Sequence, residues 1–197
     1  MTGTFVAVDG PSGVGKSTVA RLLAERLAEL GYPTLLTREP SDGPIGTLAR
    51  AGTHDYRGMA LACLVAADRY HHLVVTVRPA LAAGRTVVCD RYLASSLVLQ
   101  TADGVPQQAV WLLNQQADVP DLTIVLVGDP ETCRARAANR GTYSRFHQTV
   151  IDEPDRFRRA AQLLTAAGHR TVVHDIGQDD PSEVTRALVA LVLELDR

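Results

Sequence analysis

Lysine is almost missing from this chain. Of the 20 basic residues, nineteen are arginines and one, Lys16, is a lysine. Aromatic residues make up only 5% of the 197, and there are three cysteines. The longest apolar run, Met59 to Ala67, falls far short of the ~20 residues that cross a bilayer. Neither charge is in excess, the formal net charge being −2. A general binder of nucleic acid or membrane surfaces would carry a basic surplus, so no nucleic-acid or membrane partner is expected. Cys63, Cys89 and Cys133 fit no metal-ligand spacing and read as reduced, buried thiols of a cytoplasmic protein. Asp9 interrupts the N-terminal apolar run, and no secretory leader is expected. A bias that writes arginine wherever either cation serves leaves the lone lysine as a candidate for a position where only a compact ammonium fits.

What is present suits a globular chain. The hydrophobic share is 46%, and the length matches one domain over residues 1–197 with a small lid at about 134–148. Short apolar runs alternate with longer amphipathic ones, the pattern of an α/β protein with a doubly wound, five-stranded parallel sheet. Strands are expected at Thr4–Asp9, Thr34–Thr37, Thr86–Cys89, Leu122–Val127 and Thr171–His174. Lys16–Leu30 carries Val19, Leu22, Leu23, Leu27 and Leu30 on one stripe and stops at Gly31. Arg57–Ala83 reads as helix broken or kinked at Pro79, and Tyr92–Ala117 as two helices parted near Asp103-Gly104. Asp129-Pro130 opens another helix as cap and first position. Helices around Asp155–Ala167 and from Val184 onward complete the pattern.

The first strand runs into Gly10, Pro11, Ser12, Gly13, Val14, Gly15, Lys16 and Ser17, with Thr18 next. These residues match G-x-x-x-x-G-K-[ST] in full, between a strand and a helix as the motif requires. Glycines let backbone N–H groups turn inward around a polyphosphate, and the helix start adds partial positive charge. Lys16 would reach the β- and γ-phosphates of ATP, and the Ser17 hydroxyl would ligate Mg²⁺. The absence of a second lysine rules out an N-K-x-D guanine-reading element and disfavours a GTPase.

A kinase also needs cations for its second substrate and for the phosphoryl group in flight. Arg38 follows the second strand and Arg91 the third, at the carboxyl ends where open α/β sheets bind ligands. Asp90 ends its strand as a Walker-B acid would, holding Mg²⁺ through water; capping the next helix is the plainer alternative. For Arg38 and Arg91 the plainer alternative is a surface salt bridge. Arg134, Arg136, Arg140 and Arg145 form a second basic cluster, entering a polar segment that looks like a lid. A solvated helix face is the alternative there.

Taken together, these residues make the chain resemble the bacterial thymidylate kinases. The landmarks are the P-loop, Thr37-Arg-Glu-Pro40, Ala67-Asp-Arg69, and Asp90-Arg-Tyr92 followed by Ser95-Ser96. Arg78–Gly84, Pro120–Thr123, Asp129–Glu131, Arg140-Gly141 and Arg145-Phe146 also fit. The resemblance implies a nucleoside monophosphate kinase fold, a homodimer, and transfer of the γ-phosphoryl group of ATP, with Mg²⁺, to a nucleoside monophosphate. It implies that Arg38 and Arg91 hold the acceptor phosphate, that Arg69 reads the pyrimidine edge, and that Arg136, Arg140 or Arg145 supplies lid charge. It also places Asp9, Val65, Ser96 and Leu99 at the acceptor. The departures fall on that side. Ser12 stands where the family usually has an acid, Asp9 where Glu is common, Val65 where an aromatic stacks on thymine, and Leu99 where a Tyr packs beside the deoxyribose. Tyr92 or Phe157 could stand in for the missing aromatic. The acceptor is therefore dTMP, another or modified pyrimidine nucleotide, or a phosphorylated or acidic metabolite. An inactive nucleotide-binding regulator is a third reading, opposed by the complete set of Lys16, Ser17, Asp90 and Arg91. His71-His72 reads as ordinary helix, His174-Asp175 as a surface pair, and Trp111 as core or helix interface.

Overall fold

The computed structural model describes residues 3–138, 152–177 and 179–195. Five strands, β1 (Phe5–Asp9), β2 (Thr34–Arg38), β3 (Thr86–Asp90), β4 (Leu122–Val127) and β5 (Thr171–Asp175), form one sheet in the order β2-β3-β1-β4-β5. All four pairings are parallel. β1 and β4 are buried at every position, so their apolar runs do not alternate. The chain leaves β1 towards β2, returns to β3, and then crosses to β4 on the far side of β1. This reversal opens a crevice beyond the carboxyl end of β1, where open sheets take their ligands.

Helices cover both faces. α1 (Lys16–Glu29) and the last helix, α9 (Pro181–Leu193), pack Leu23, Leu27, Leu188 and Val192 against Val6, Val8 and Ile124. A capping box of Asp180 and Glu183 starts α9. The opposite face carries α3 (Gly58–His72), α4 (Arg78–Ala82), α5 (Leu93–Ala102), α6 (Gln107–Asn114) and α8 (Glu153–Ala166). Two shorter helices sit at the crevice: α2 (Pro44–Ala51) and α7 (Pro130–Ala138). Asp129 caps α7 as expected, its Oδ2 accepting from the Thr132 N–H and hydroxyl at 2.7 Å each.

Three expectations change. Helix α2 has no counterpart in the periodicity, which is only eight residues long there. Pro79 does not break its helix. It sits early in α4, after a π-helical stretch at Leu73–Val77, so the helical run is irregular just before the proline and continues past it. Cys63 is exposed, unlike the buried Cys89 and Cys133. It shares an outward stripe of α3 with Ala60, Ala67 and His71, which continues to Val74 and Val75. Among the described residues no helix is long and apolar enough to cross a membrane.

Candidate active site

The P-loop follows β1 directly. Gly10 and Gly13 hold φ of +147° and +79°, and a Cβ on either would strike a backbone carbonyl oxygen, that of Leu126 or Cys133. Gly15, the residue before α1, offers no side-chain cap, and the first turn of α1 carries no acid. The helix therefore presents its first N–H groups and its positive end to the crevice without a competing carboxylate. Val14 is buried in the core beneath the loop, so its contribution to the cradle is backbone alone. Ser17 is exposed and Thr18 half-buried at the helix start.

Lys16 bends back over its own loop. Its Nζ donates to the Pro11 carbonyl oxygen at 2.6 Å, and the side chain is buried. Burial, reinforced by the Arg91 charge, pulls the ammonium down from 10.5 to about 7; Asp90, Glu153 and Asp9 oppose the fall. Glu153 was not anticipated. It opens α8, and its Oε2 accepts from the Ser12 N–H at 3.3 Å across 141 residues of sequence. Burial raises this carboxyl despite the nearby Lys16 and Arg91 charges.

Lys16, Arg38, Arg50, Arg69, Asp90 and Arg91 line one cavity of about 650 Å³. Arg91 has φ of +73°, the single positive value outside glycine among the described residues. Its N–H stays on the sheet, donating to the Val8 carbonyl at 2.9 Å, while Nη1 reaches Ser95 Oγ at 3.1 Å. A left-handed φ is uncommon for arginine, and in this backbone conformation Arg91 lines the cavity. Asp90 beside it keeps Oδ1 buried and without a partner. With the Ser17 hydroxyl across the loop, that oxygen suits a hydrated Mg²⁺ carried in with nucleotide phosphates.

Asp9 takes a different part from the one expected. Its Oδ1 accepts from the Tyr92 N–H at 3.1 Å, the Ser95 N–H at 3.0 Å and the Ser95 hydroxyl at 2.6 Å. It thus caps the start of α5 from β1, wholly buried, and burial raises its carboxyl. The acid holds the turn that carries Arg91 and does not line the cavity.

Arg69 is only 1% exposed, although it borders the cavity. Its Nε donates to Glu39 Oε2 at 2.7 Å, Nη1 to Asn114 Oδ1, and Nη2 to the Tyr92 carbonyl at 3.1 Å and Ser96 Oγ at 2.9 Å. The guanidinium also lies 4.8 Å from the Tyr92 ring centre. Glu39 in turn meets His72 Nδ1 at 3.3 Å, and His72 Nε2 meets Thr37 Oγ1 at 2.7 Å. Glu39, His72 and Cys89 bring donor atoms within 4.8 Å of one another. Glu39 is already paired with Arg69 and the Cys89 thiol faces the Arg91 carbonyl at 3.2 Å, so the cluster works as a hydrogen-bonded brace.

Leu61, Val65 and Leu99 give the cavity aliphatic lining, and Ser95, Ser96 and Gln100 add polar groups. Buried Gln100 Oε1 has no partner and can receive a ligand donor. Phe157 is not available as a stacking aromatic, since it is fully buried in the core. Tyr92 borders the cavity, but its ring is clamped edge-on to Phe5 at 5.2 Å and its hydroxyl donates to the Asp118 carbonyl at 2.8 Å. Arg50 also escaped the sequence reading. It sits in α2, beside Arg38. Arg134 and Arg136 are exposed on α7, and neighbouring Ala137 lines the cavity. Arg140 and Arg145 lie outside the described residues. Arg158 pairs with Asp175 at 3.1 Å, and Trp111 is half-buried with its ring 6.0 Å from His169.

Comparison with known proteins agrees with this arrangement. The family model for thymidylate kinase matches residues 8–187. A thymidylate kinase of Clavibacter sepedonicus is 40% identical over 197 residues, covering 95% of this chain and 92% of its own. One from Synechococcus sp. is 37% identical over 195 residues, covering 95% and 93%. A probable thymidylate kinase of Caldivirga maquilingensis is 40% identical over 150 residues, covering 74% and 73%. A match running from the first strand into the last helix, through every arginine-bearing turn of the cavity, means that this chain belongs to the thymidylate kinase family.

Proposed function

We propose that the protein transfers the γ-phosphoryl group of ATP to dTMP, giving dTDP and ADP. The observation that carries this reading is the single cavity shared by the P-loop lysine and the strand-end arginines Arg38 and Arg91. The loop and Lys16 hold the donor's phosphates; Lys16 leaves the Pro11 carbonyl to do so. Arg38 and Arg91 grip the acceptor phosphate in bidentate fashion and aim one of its oxygens at the γ-phosphorus. No strong general base is required, because that oxygen is already ionised at neutral pH. Ser17, and Asp90 through water, would hold Mg²⁺, which neutralises phosphate charge when bound. Arg136, with Arg140 and Arg145 of a lid at about 134–148, brings further cations over the transferring group. Arg69, pinned between Glu39 and Asn114, keeps one N–H for the base edge.

A second acceptor class is favoured by one specific feature. The wall of Leu61, Val65 and Leu99 provides no ring to stack on thymine and no hydroxyl beside the sugar, which suits another or a modified pyrimidine nucleotide as well. A homodimer fits the exposed stripe that runs along α3 into the π-helical stretch after it, where Met59, Val74 and Val75 are 46%, 57% and 55% exposed. A cytoplasmic setting fits the free thiols and the ATP donor.

The test is coupled ADP detection with a panel of nucleoside monophosphates, including modified pyrimidines. Lys16→Ala and Arg91→Ala should each lose at least ~10²-fold in turnover while remaining folded by circular dichroism. Near-normal rates in either variant would overturn the site assignment.

A further inference from the structure

The loop that joins β2 to α2 is held unusually firmly. The Ser41 N–H donates to Asp68 Oδ2 at 2.5 Å, and the Ser41 hydroxyl to Asp68 Oδ1 at 2.6 Å. Asp68 is itself buried, on α3. From the other side, Arg50 Nη1 donates to the Pro40 and Ser41 carbonyl oxygens. Gly46 lets α2 lie directly against the loop, since a Cβ there would meet Ser41 N at 2.5 Å and Asp68 Oδ1 at 2.7 Å.

This anchoring places the next residue, Asp42, between two guanidinium groups. One oxygen, Asp42 Oδ1, accepts from Arg38 Nη2 at 2.5 Å, Arg38 Nε at 3.2 Å and Arg50 Nη2 at 3.1 Å. Both arginines line the cavity, whereas the Asp42 side chain is 72% exposed at its edge. The Arg38 hydrogen bond holds the Asp42 carboxyl below the usual carboxylate range, so it is an anion throughout the neutral range. An oxyanion bridging two guanidiniums is the arrangement that a phosphate group would make with the same pair.

We infer that Asp42 is an internal counter-anion of Arg38 and Arg50, occupying the guanidinium pair that the acceptor's phosphate must take over. Arg50 is thereby assigned as a third arginine for that phosphate, beside Arg38 and Arg91. The inference rests on the proposed acceptor phosphorylation. It adds that acceptor affinity is set by a competition between a carboxylate and a phosphate for the same donors. A phosphate dianion, with three oxygens and greater charge, displaces the carboxylate; a singly charged or neutral ligand does not. Asp42 thus acts as a specificity element for phosphorylated acceptors.

The experiment compares the wild type with Asp42→Asn and Asp42→Gly, two variants that remove the charge with and without the side chain. KM for dTMP, KM for ATP and kcat are measured, together with equilibrium binding of dTMP in the absence of ATP. Asp118→Asn serves as a control, because it removes the same charge from the Arg78–Asp118 pair, which lies off the cavity. In both Asp42 variants KM and Kd for dTMP should fall about two- to tenfold, with KM for ATP at the wild-type value. Unchanged or raised values for dTMP would overturn the inference, as would a parallel fall in KM for ATP or an equal fall in Asp118→Asn. Failure of the wild type to phosphorylate any nucleotide would instead refute the proposed function, so the two failures are distinguishable.

Discussion

Replacing Lys16 by methionine should make the protein more stable while removing its activity. The ammonium is buried and falls from 10.5 to about 7, chiefly by desolvation. A folded-state value below the unfolded one means that the unfolded chain binds the proton more tightly. The buried charge therefore opposes folding in full below pH 7, and the penalty fades as pH rises from 7 towards 10.5. The difference between the two values corresponds to about 5 kcal/mol. Methionine abolishes that penalty but strands the Pro11 carbonyl oxygen, which costs about 1–3 kcal/mol. A net gain of about 2–4 kcal/mol remains, or roughly 4–16 °C in Tm for a chain of this size. Thermal melts of wild type and Lys16→Met at pH 6.5, 8 and 9.5 would measure it. The gap should be widest at pH 6.5 and narrow by about 1.4 kcal/mol per pH unit above 7. Saturating Mg·ATP should raise the wild-type Tm and leave Lys16→Met nearly unmoved. A variant that melts below the wild type at pH 6.5, or a gap independent of pH, would refute the reasoning.

Other consequences follow from the cavity and from α3. Leu99 lines the cavity and, by the family resemblance, stands where a tyrosine packs beside the deoxyribose. On that proposal the wild type should prefer dTMP over its ribo-counterpart by less than about tenfold, and Leu99→Tyr should raise that preference; a strong deoxy preference in the wild type would reject this. Val74→Arg, in the exposed stretch that follows α3, should convert the proposed dimer into a monomer in analytical ultracentrifugation without loss of helical content. An unchanged sedimentation coefficient would place any interface elsewhere.

The sheet was legible because each strand is a short apolar run bounded by turn residues, and β4 was read to its ends, Leu122 and Val127. Gly31 and Gly104 marked chain breaks because both adopt positive φ, at +92° and +85°. Helix α2 was missed for a local reason. Its eight residues bury only Gly46 and Ala49, too few to write a period, although Pro44 at its first turn was a readable start signal. Arg50 went unnoticed with it. The motif residues Lys16, Arg38, Asp90 and Arg91 were legible because the chemistry is local to strand ends, and the fold brings those ends to one crevice.

What stayed hidden is pairing at long range. Asp9 is placed at the acceptor by the family resemblance alone; its partner in the structure, Ser95, lies 86 residues away. Arg69 is placed at the base edge by the resemblance, and nothing within α3 reveals that Glu39 and Asn114, 30 and 45 residues off, pin it in place. Both belong to one construction. The strained turn at Arg91 is held by Asp9 from below, while Arg69 ties the next residue, Tyr92, to Glu39 immediately after Arg38. Arg38 and Arg91, two of the three arginines proposed for the acceptor phosphate, are thus flanked by one continuous hydrogen-bonded chain running from β2 through α3 to α5. Such a chain resists the separation of like charges that would otherwise push Arg38 and Arg91 apart before a phosphate arrives.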